Sequence, residues 1–349
     1  MVDQIPSDPS GTSPISREAA DPETPYGYLL VHFVEDSQEH KEKVCLSLSV
    51  GDDPLRWRRL NGGEAVLEST AGATGVRDPF IVRRHDGEGF HVIATDLRIW
   101  DGFPDIDDLD WEALIRHGSR DLVIWDSPDL VTWSEPRYVT VAPPTAGMAW
   151  APEAHYDPTS GDYLVYWSSR LYEPTDTDHQ GDSYSRILVS RTRDFETFSP
   201  AEVYLDTGEE VIDMTVYVED STFEGEDART HRFAKDNGGD RGIFQESGPE
   251  FFGDFSPVAN RLGSVFHDGV EAPLIFRDNH EPRWYLWVDA FGLRPMGYRA
   301  LTTTDLGGNK WQPVPEGDFH LPANTKHGGV IPLTRAEYDR LNAEFPEMM

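Results

Sequence analysis

"GVEAPLIF" (residues 269–276) is a short apolar run with one carboxylate at its mouth. Ala272 to Phe276 read as a buried strand, and Glu271 at its edge costs desolvation free energy unless something nearby uses it. The chain repeats this arrangement. "RDPFIVR" carries Asp78, "APEAHYD" Glu153, "IDMTVYV" Asp213, "VEAPLIF" Glu271 and "HGGVIPL" His327, at successive spacings of 75, 60, 58 and 56 residues. Each copy is an ionisable residue followed by a short, mostly apolar strand.

A second phrase keeps step with the first. It is a strand end running into an Asp-containing turn closed by an aromatic: "SVGDDPLRW" ending at Trp57, "SPDLVTW" at Trp133, "RTRDFETF" at Phe198 and "TTDLGGNKW" at Trp311, with "EFFGDF" (250–255) as a degraded copy. Between the copies lie β-type runs such as "FHVIATDL", "YLVYWSS" and "WYLWVDA", punctuated by Gly, Pro and Asp. Helical periodicity is confined to 106–119 and 334–345. Repetition at this interval, in a chain of short strands, predicts an all-β fold, a five-bladed β-propeller. The first strand of each blade would line the central channel, and the five ionisable residues would ring one mouth of it. Residues 26–60 supply outer strands without an inner one, and 327–334 an inner strand without outer ones. Joining them closes the first blade from both chain ends and removes the exposed edges of an open ring. The blades are then 26–60 with 327–334, 78–135, 149–200, 211–260 and 269–315. Residues 1–25 read as a mobile acidic tail, 26–334 as the catalytic propeller and 335–349 as a C-terminal extension of helical character.

Composition bounds the partners. The 349 residues include 63 acidic and 30 basic ones, a formal charge of −33, so nucleic acid and anionic membranes are excluded as expected partners. Aromatics at 11% and ten Trp supply a sizeable core. No run of 18 apolar residues suggests a membrane helix. The N-terminus lacks the basic and apolar regions of a signal peptide, which reads as a cytoplasmic chain. The single cysteine, Cys45, excludes an internal disulfide and a cysteine zinc site, and reads as a buried small hydrophobe.

Carboxylates converging on one aromatic-rich mouth suit acid–base chemistry. Glycoside hydrolysis needs one carboxyl protonated to donate to the leaving oxygen and another ionised to activate water. "RDPF", "WAPE", "IDMTVY", "EAP" and "HGG", in that order on five blades, resemble glycoside hydrolase family 43, over about residues 26–334. The resemblance implies Asp78 as general base, Glu271 as general acid, and Asp213 as the residue that orients the acid and keeps it protonated. Met214 and Thr215 stand where the family has Pro and Ser, Ala272 where it has Gly, and Glu153 where it has Asp. It also implies that His327 lies beside a water-coordinated calcium or other ion in the channel; a hydrogen-bonded core histidine without metal is the alternative, and no cofactor is required for the chemistry. Arg77, Trp100, Trp150, Glu153, Arg170 and Lys235 are candidate substrate-binding residues, each of which could instead serve packing or ion pairing. The implied substrate is an α-L-arabinofuranoside of an oligo- or polysaccharide, with β-D-xyloside and β-D-galactofuranoside as alternatives. A non-catalytic carbohydrate-binding propeller, a phosphorylase and a protein-interaction propeller are the competing classes. The acidic loop 222–230 reads as a solvated surface.

Overall fold

A computed structural model of the protein describes residues 23–35, 42–100, 109–219 and 228–347. The tail reading up to residue 22, and the acidic loop up to residue 227, lie outside them. Among the described residues the strands form five four-stranded antiparallel sheets. Blade one holds β1 (Pro25–Val34), β2 (Cys45–Val50) and β3 (Asp53–Arg59). Blade two holds β4 (Val76–Arg83), β5 (Phe90–Asp96), β6 (Asp121–Ser127) and β7 (Arg137–Thr140), and helix α1 (Trp111–His117) lies between β5 and β6. Blade three is β8 (Trp150–Asp157), β9 (Asp162–Arg170), β10 (Ser185–Thr192) and β11 (Glu202–Leu205). Blade four is β12 (Val211–Val218), β13 (Thr230–Asp236), β14 (Ile243–Gly248) and β15 (Ser256–Leu262). Blade five is β16 (Glu271–Arg277), β17 (Trp284–Asp289), β18 (Tyr298–Thr303) and β19 (Gln312–Pro313). The last strand, β20 (Thr325–Thr334), pairs with β1 and becomes the inner strand of blade one. This is the predicted five-bladed propeller, closed by both chain ends.

The strand patterns follow from packing on two faces. β5 is buried at every position, and β9 at every position but its first, because neighbouring blades cover both sides. The outer strands β7 and β11 are half exposed. The core is accordingly divided among the blade interfaces. Leu46 of blade one packs with Trp125 of blade two, and Ile124 with Trp167 of blade three. Tyr166 packs with Phe244 of blade four, Phe233 with Leu286 of blade five, and Trp287 with Trp57 of blade one.

The repeated aromatics stitch these interfaces as expected. The Trp311 ring lies 5.9 Å from Phe233, and its Nε1 donates to Gln245 Oε1 at 2.9 Å. Trp57 meets Trp287 edge-on at 5.4 Å, but from within strand β3 rather than from a turn. After β20, helix α2 (Arg335–Glu344) opens with a capping box between Thr334 and Glu337. Its Tyr338 and Leu341 join the cluster around Leu29 and Leu333.

A β-bulge recurs at the mouth end of every inner strand. In blade two the register jumps between Arg77 and Phe80, in blade three between Trp150 and Glu153, in blade four between Ile212 and Thr215, and in blade five between Glu271 and Leu274. β20 shows the same jump where its partners on β1 pass from His32 to Val34. The first bulged residue is left-handed in four blades: Asp78 (φ 51°), Ala151 (52°), Asp213 (53°) and Ala272 (50°). Side chains of the preceding blade take the bulge N–H groups. Ala151 N donates to Thr95 Oγ1 at 2.8 Å, Asp213 N to Ser168 Oγ at 3.0 Å, and Ala272 N to Asp213 Oδ2 at 3.2 Å.

Candidate active site

The bulges correct the register of the predicted ring. Asp78 and Asp213 occupy the first bulged position, Glu271 precedes it by one residue, His327 is the second bulged residue of β20, and Glu153 lies beyond the bulge of β8. Sequence spacing placed all five at one height; the structure sets them at several. Asp78, Asp213, Glu271 and His327 still converge on one cavity of about 300 Å³, whose walls include Phe33, Ile99, Trp111 and Trp150. Glu153 does not reach it. It is buried below, accepts a hydrogen bond from Tyr166 Oη at 2.9 Å, and burial raises its pKa to about 8, which makes it a neutral structural acid.

The two principal carboxyls are pushed in opposite directions. Enclosure would raise the Asp78 pKa, but His327 Nδ1 at 3.3 Å from Oδ1, the Arg77 charge and a 2.9 Å hydrogen bond from Thr95 outweigh it, and the group falls below its usual value. Glu271 rises to about 8, first through desolvation and then through the charges of Asp213 and Asp289. Asp213 is itself raised, mainly by desolvation. The His327 imidazole, despite burial, is raised to about 9 by Asp78 and then by Asp213 and Glu153, so it is a cation at neutral pH.

The remaining candidates sort by position. Arg77 lines the cavity, stacks over Phe33 at 4.4 Å and bonds Glu42 at 3.0 Å. Trp150 lines it and meets Trp111 of α1 at 6.5 Å between ring centres. Helix α1 falls within the segment predicted helical, and its Trp111 and Ile115 wall the site. Arg170 does not line the cavity; it braces the rim through Glu210 at 2.9 Å and Glu112 of α1 at 3.3 Å. Trp100 also stands outside, with its backbone N–H on Glu42 Oε2 at 3.1 Å. Lys235 lines a different cleft, with Asp240 and Asp268, because its place in β13 is opposite Ile212 rather than an acid. A larger groove of about 540 Å³ on blade five is lined by Phe266, Arg294 and Phe319 and holds none of the ring carboxylates.

Sequence reasoning missed Asp289, Lys326, Glu35 and Glu42. Asp289 ends "WYLWVDA" and Lys326 precedes His327, but nothing in their spacing marks them. Among the described residues, no three His, Cys, Asp or Glu are grouped to hold a metal.

The family model described as "Probable glycosyl hydrolase domain" (glycosyl hydrolase 43-related) matches residues 24–339. An α-L-arabinofuranosidase of Bifidobacterium longum subsp. longum is 32% identical over 202 residues, 54% of this chain and 18% of that protein. The chain therefore matches less than a fifth of that relative's length. Similar solved structures include a thermostable family-43 glycoside hydrolase (15% identity, 71% and 75% of the two chains, TM-score 0.48). Another is the catalytic domain of the Coprinopsis cinerea family-62 α-L-arabinofuranosidase (16% identity, 74% of each chain, TM-score 0.49). With a model match spanning the whole propeller, the chain belongs to the glycosyl hydrolase 43-related family.

Proposed function

We propose that the protein is an exo-acting, inverting glycosidase that releases terminal α-L-arabinofuranosyl residues from oligo- or polysaccharides. One observation carries this reading: an acidic and a basic carboxyl share one small cavity, Glu271 raised to about 8 and Asp78 held below the ordinary carboxylate range. Glu271 donates its proton to the glycosidic oxygen as the bond from that oxygen to the anomeric carbon breaks. Water attacks the anomeric carbon from the opposite face, and Asp78 takes its proton. Asp213 orients the acid and, by its nearby charge, keeps it protonated. Exchange with solvent then returns a proton to Glu271 and removes one from Asp78. A cavity walled by Trp111, Trp150 and Ile99 suits one terminal sugar and a water, which supports exo action. The choice of arabinofuranose is supported by the name of the B. longum relative.

The test is nitrophenol release from α-L-arabinofuranoside, β-D-xyloside, β-D-galactofuranoside and a pyranoside control, with wild type beside Glu271→Ala. Furanoside turnover abolished in the variant supports the reading. Preference for the xyloside or galactofuranoside would reassign the sugar. Turnover of methyl α-L-arabinofuranoside, whose alkoxide cannot leave unprotonated, that survives in the variant would overturn Glu271 as the acid. Inversion is read by NMR of the first-formed anomer, and retention would overturn the role of Asp78 as base.

A further inference from the structure

Behind Glu271 runs a chain of alternating charge. Glu42 meets Arg77 at 3.0 Å, Arg77 meets Glu35 at 3.5 Å, Glu35 meets Lys326 at 3.6 Å, and Lys326 meets Asp289 at 2.8 Å. The chain ends beside the acid, because Asp289 is the direct cross-strand partner of Glu271 in the β16–β17 ladder. Directly opposed residues project to the same face of a sheet, and both line the cavity, as does Lys326. The terminal pair is almost fully enclosed, with 1% of the Asp289 side chain and 2% of Lys326 exposed.

We propose that Asp289 and Lys326 tune the general acid: Lys326 holds Asp289 ionised, and the Asp289 charge opposite Glu271 helps keep the Glu271 proton in place. This rests on the reading of Glu271 as the acid. The corresponding position differs from blade to blade. Opposite the residue before the bulge stand Thr95 in blade two, Ser168 in blade three, Lys235 in blade four and Val34 in blade one, so blade five alone has a carboxylate there. The first two are small hydroxyls, and each accepts the next blade's bulge N–H. At the junction of blades five and one the Tyr298 hydroxyl takes the N–H of Gly328, just past the bulge, at 2.9 Å, and the Asp289 carboxylate meets the Lys326 ammonium at 2.8 Å. A buried ion pair contributes little to stability compared with an apolar pair of the same size, so architecture alone does not call for one here.

The groups facing Glu271 are Asp213 from β12, Asp289 from β17, Lys326 from β20 and Arg77 from β4. The two carboxylates favour its proton and the two cations oppose it. Asp289 in turn faces Glu35 and His327 besides Lys326; burial raises its pKa and the ammonium opposes that rise. Removing the Asp289 charge must therefore release the Glu271 proton more easily, and removing the ammonium must let Asp289 take up a proton and lose that influence.

The measurement is a direct titration of the Glu271 carboxyl by 13C NMR in protein labelled at glutamate, with the resonance assigned by its loss in Glu271→Gln. Asp289→Asn is expected to lower the midpoint by about one pH unit. In a Lys326→Met background the same Asp289→Asn change is expected to move the midpoint much less, because Asp289 without its ammonium takes up a proton, and Asp289→Glu is expected to keep the wild-type position. The alkaline limb of kcat/KM should move in the same directions. A purely structural pair would change stability or kcat and leave the midpoint where it was. Asp289→Ser, which installs a hydroxyl like those of blades two and three, gives the same reading if Asp289→Asn does not fold. A midpoint unmoved, or moved the opposite way, in the folded variants overturns the proposal. A wild type without glycosidase activity would sink the proposed function, while the titration would still test the coupling of the pair to Glu271.

Discussion

Asp78 and Glu271 are both enclosed carboxyls at the same mouth, and their neighbours push one pKa down and the other up. His327 and Arg77 stand beside Asp78; Asp213 and Asp289 stand beside Glu271. The pH dependence follows from the sign. Glu271 is competent while protonated, so kcat/KM should hold at neutral pH and fall as pH rises through about 8. Asp213→Asn removes the largest charge that raises Glu271, and its profile should lose activity at lower pH than wild type. Asp78→Asn should cost about a hundredfold to ten-thousandfold in kcat, the usual range for a general base, with far-UV circular dichroism unchanged. Glu153, by contrast, belongs to the interior, and Glu153→Gln should retain turnover because the amide still accepts from Tyr166.

At the scale of the element, the bulge is the device that points side chains into the channel. Two residues on the inner strand oppose one residue of the partner strand, which turns Asp78 and Asp213 toward the axis in a left-handed conformation. Ala151 holds the same conformation without a catalytic side chain, so it isolates the backbone cost. Ala151→Val places a β-branched residue at φ 52° and should destabilise by about 1–2 kcal/mol or more, measured by urea unfolding. Thr95 serves both strand and site, since its hydroxyl donates to Asp78 Oδ2 and accepts from Ala151 N. Thr95→Val should lower stability by about 1–3 kcal/mol through the orphaned N–H and reduce kcat together with it. "RDPF" was legible as a mouth residue because an acid before an apolar run is unusual. The bulge itself was not, because ladder register depends on the partner strand and leaves no local mark.

For the molecule as a whole, closure is the main structural fact. β20 brings Lys326 and His327 to a mouth otherwise built by residues far earlier in the chain, and α2 seals the joint with Tyr338 and Leu341. Leu341→Ala should cost about 2–5 kcal/mol as a buried cavity mutation. Removal of residues 325–349 should abolish cooperative unfolding, because blade one would lose its inner strand. The formal charge of −33 repels itself, so the unfolding midpoint should rise with added salt over the first few hundred millimolar.

By itself the sequence determined the number of blades, the strands that close the ring and the acidic strand starts Asp78, Asp213 and Glu271, because apolar periodicity and an acid at a strand edge are local features. Only the tertiary structure decided the rest. It excluded Glu153 and Lys235 from the cavity, since one bulge or one cross-strand partner sets where a side chain points. It also joined Glu42, Arg77, Glu35, Lys326 and Asp289 into one charged chain. Those five residues come from blades one, two and five, and their interaction exists only once the ring has closed, because Coulomb energy depends on distance in space and not on spacing along the chain.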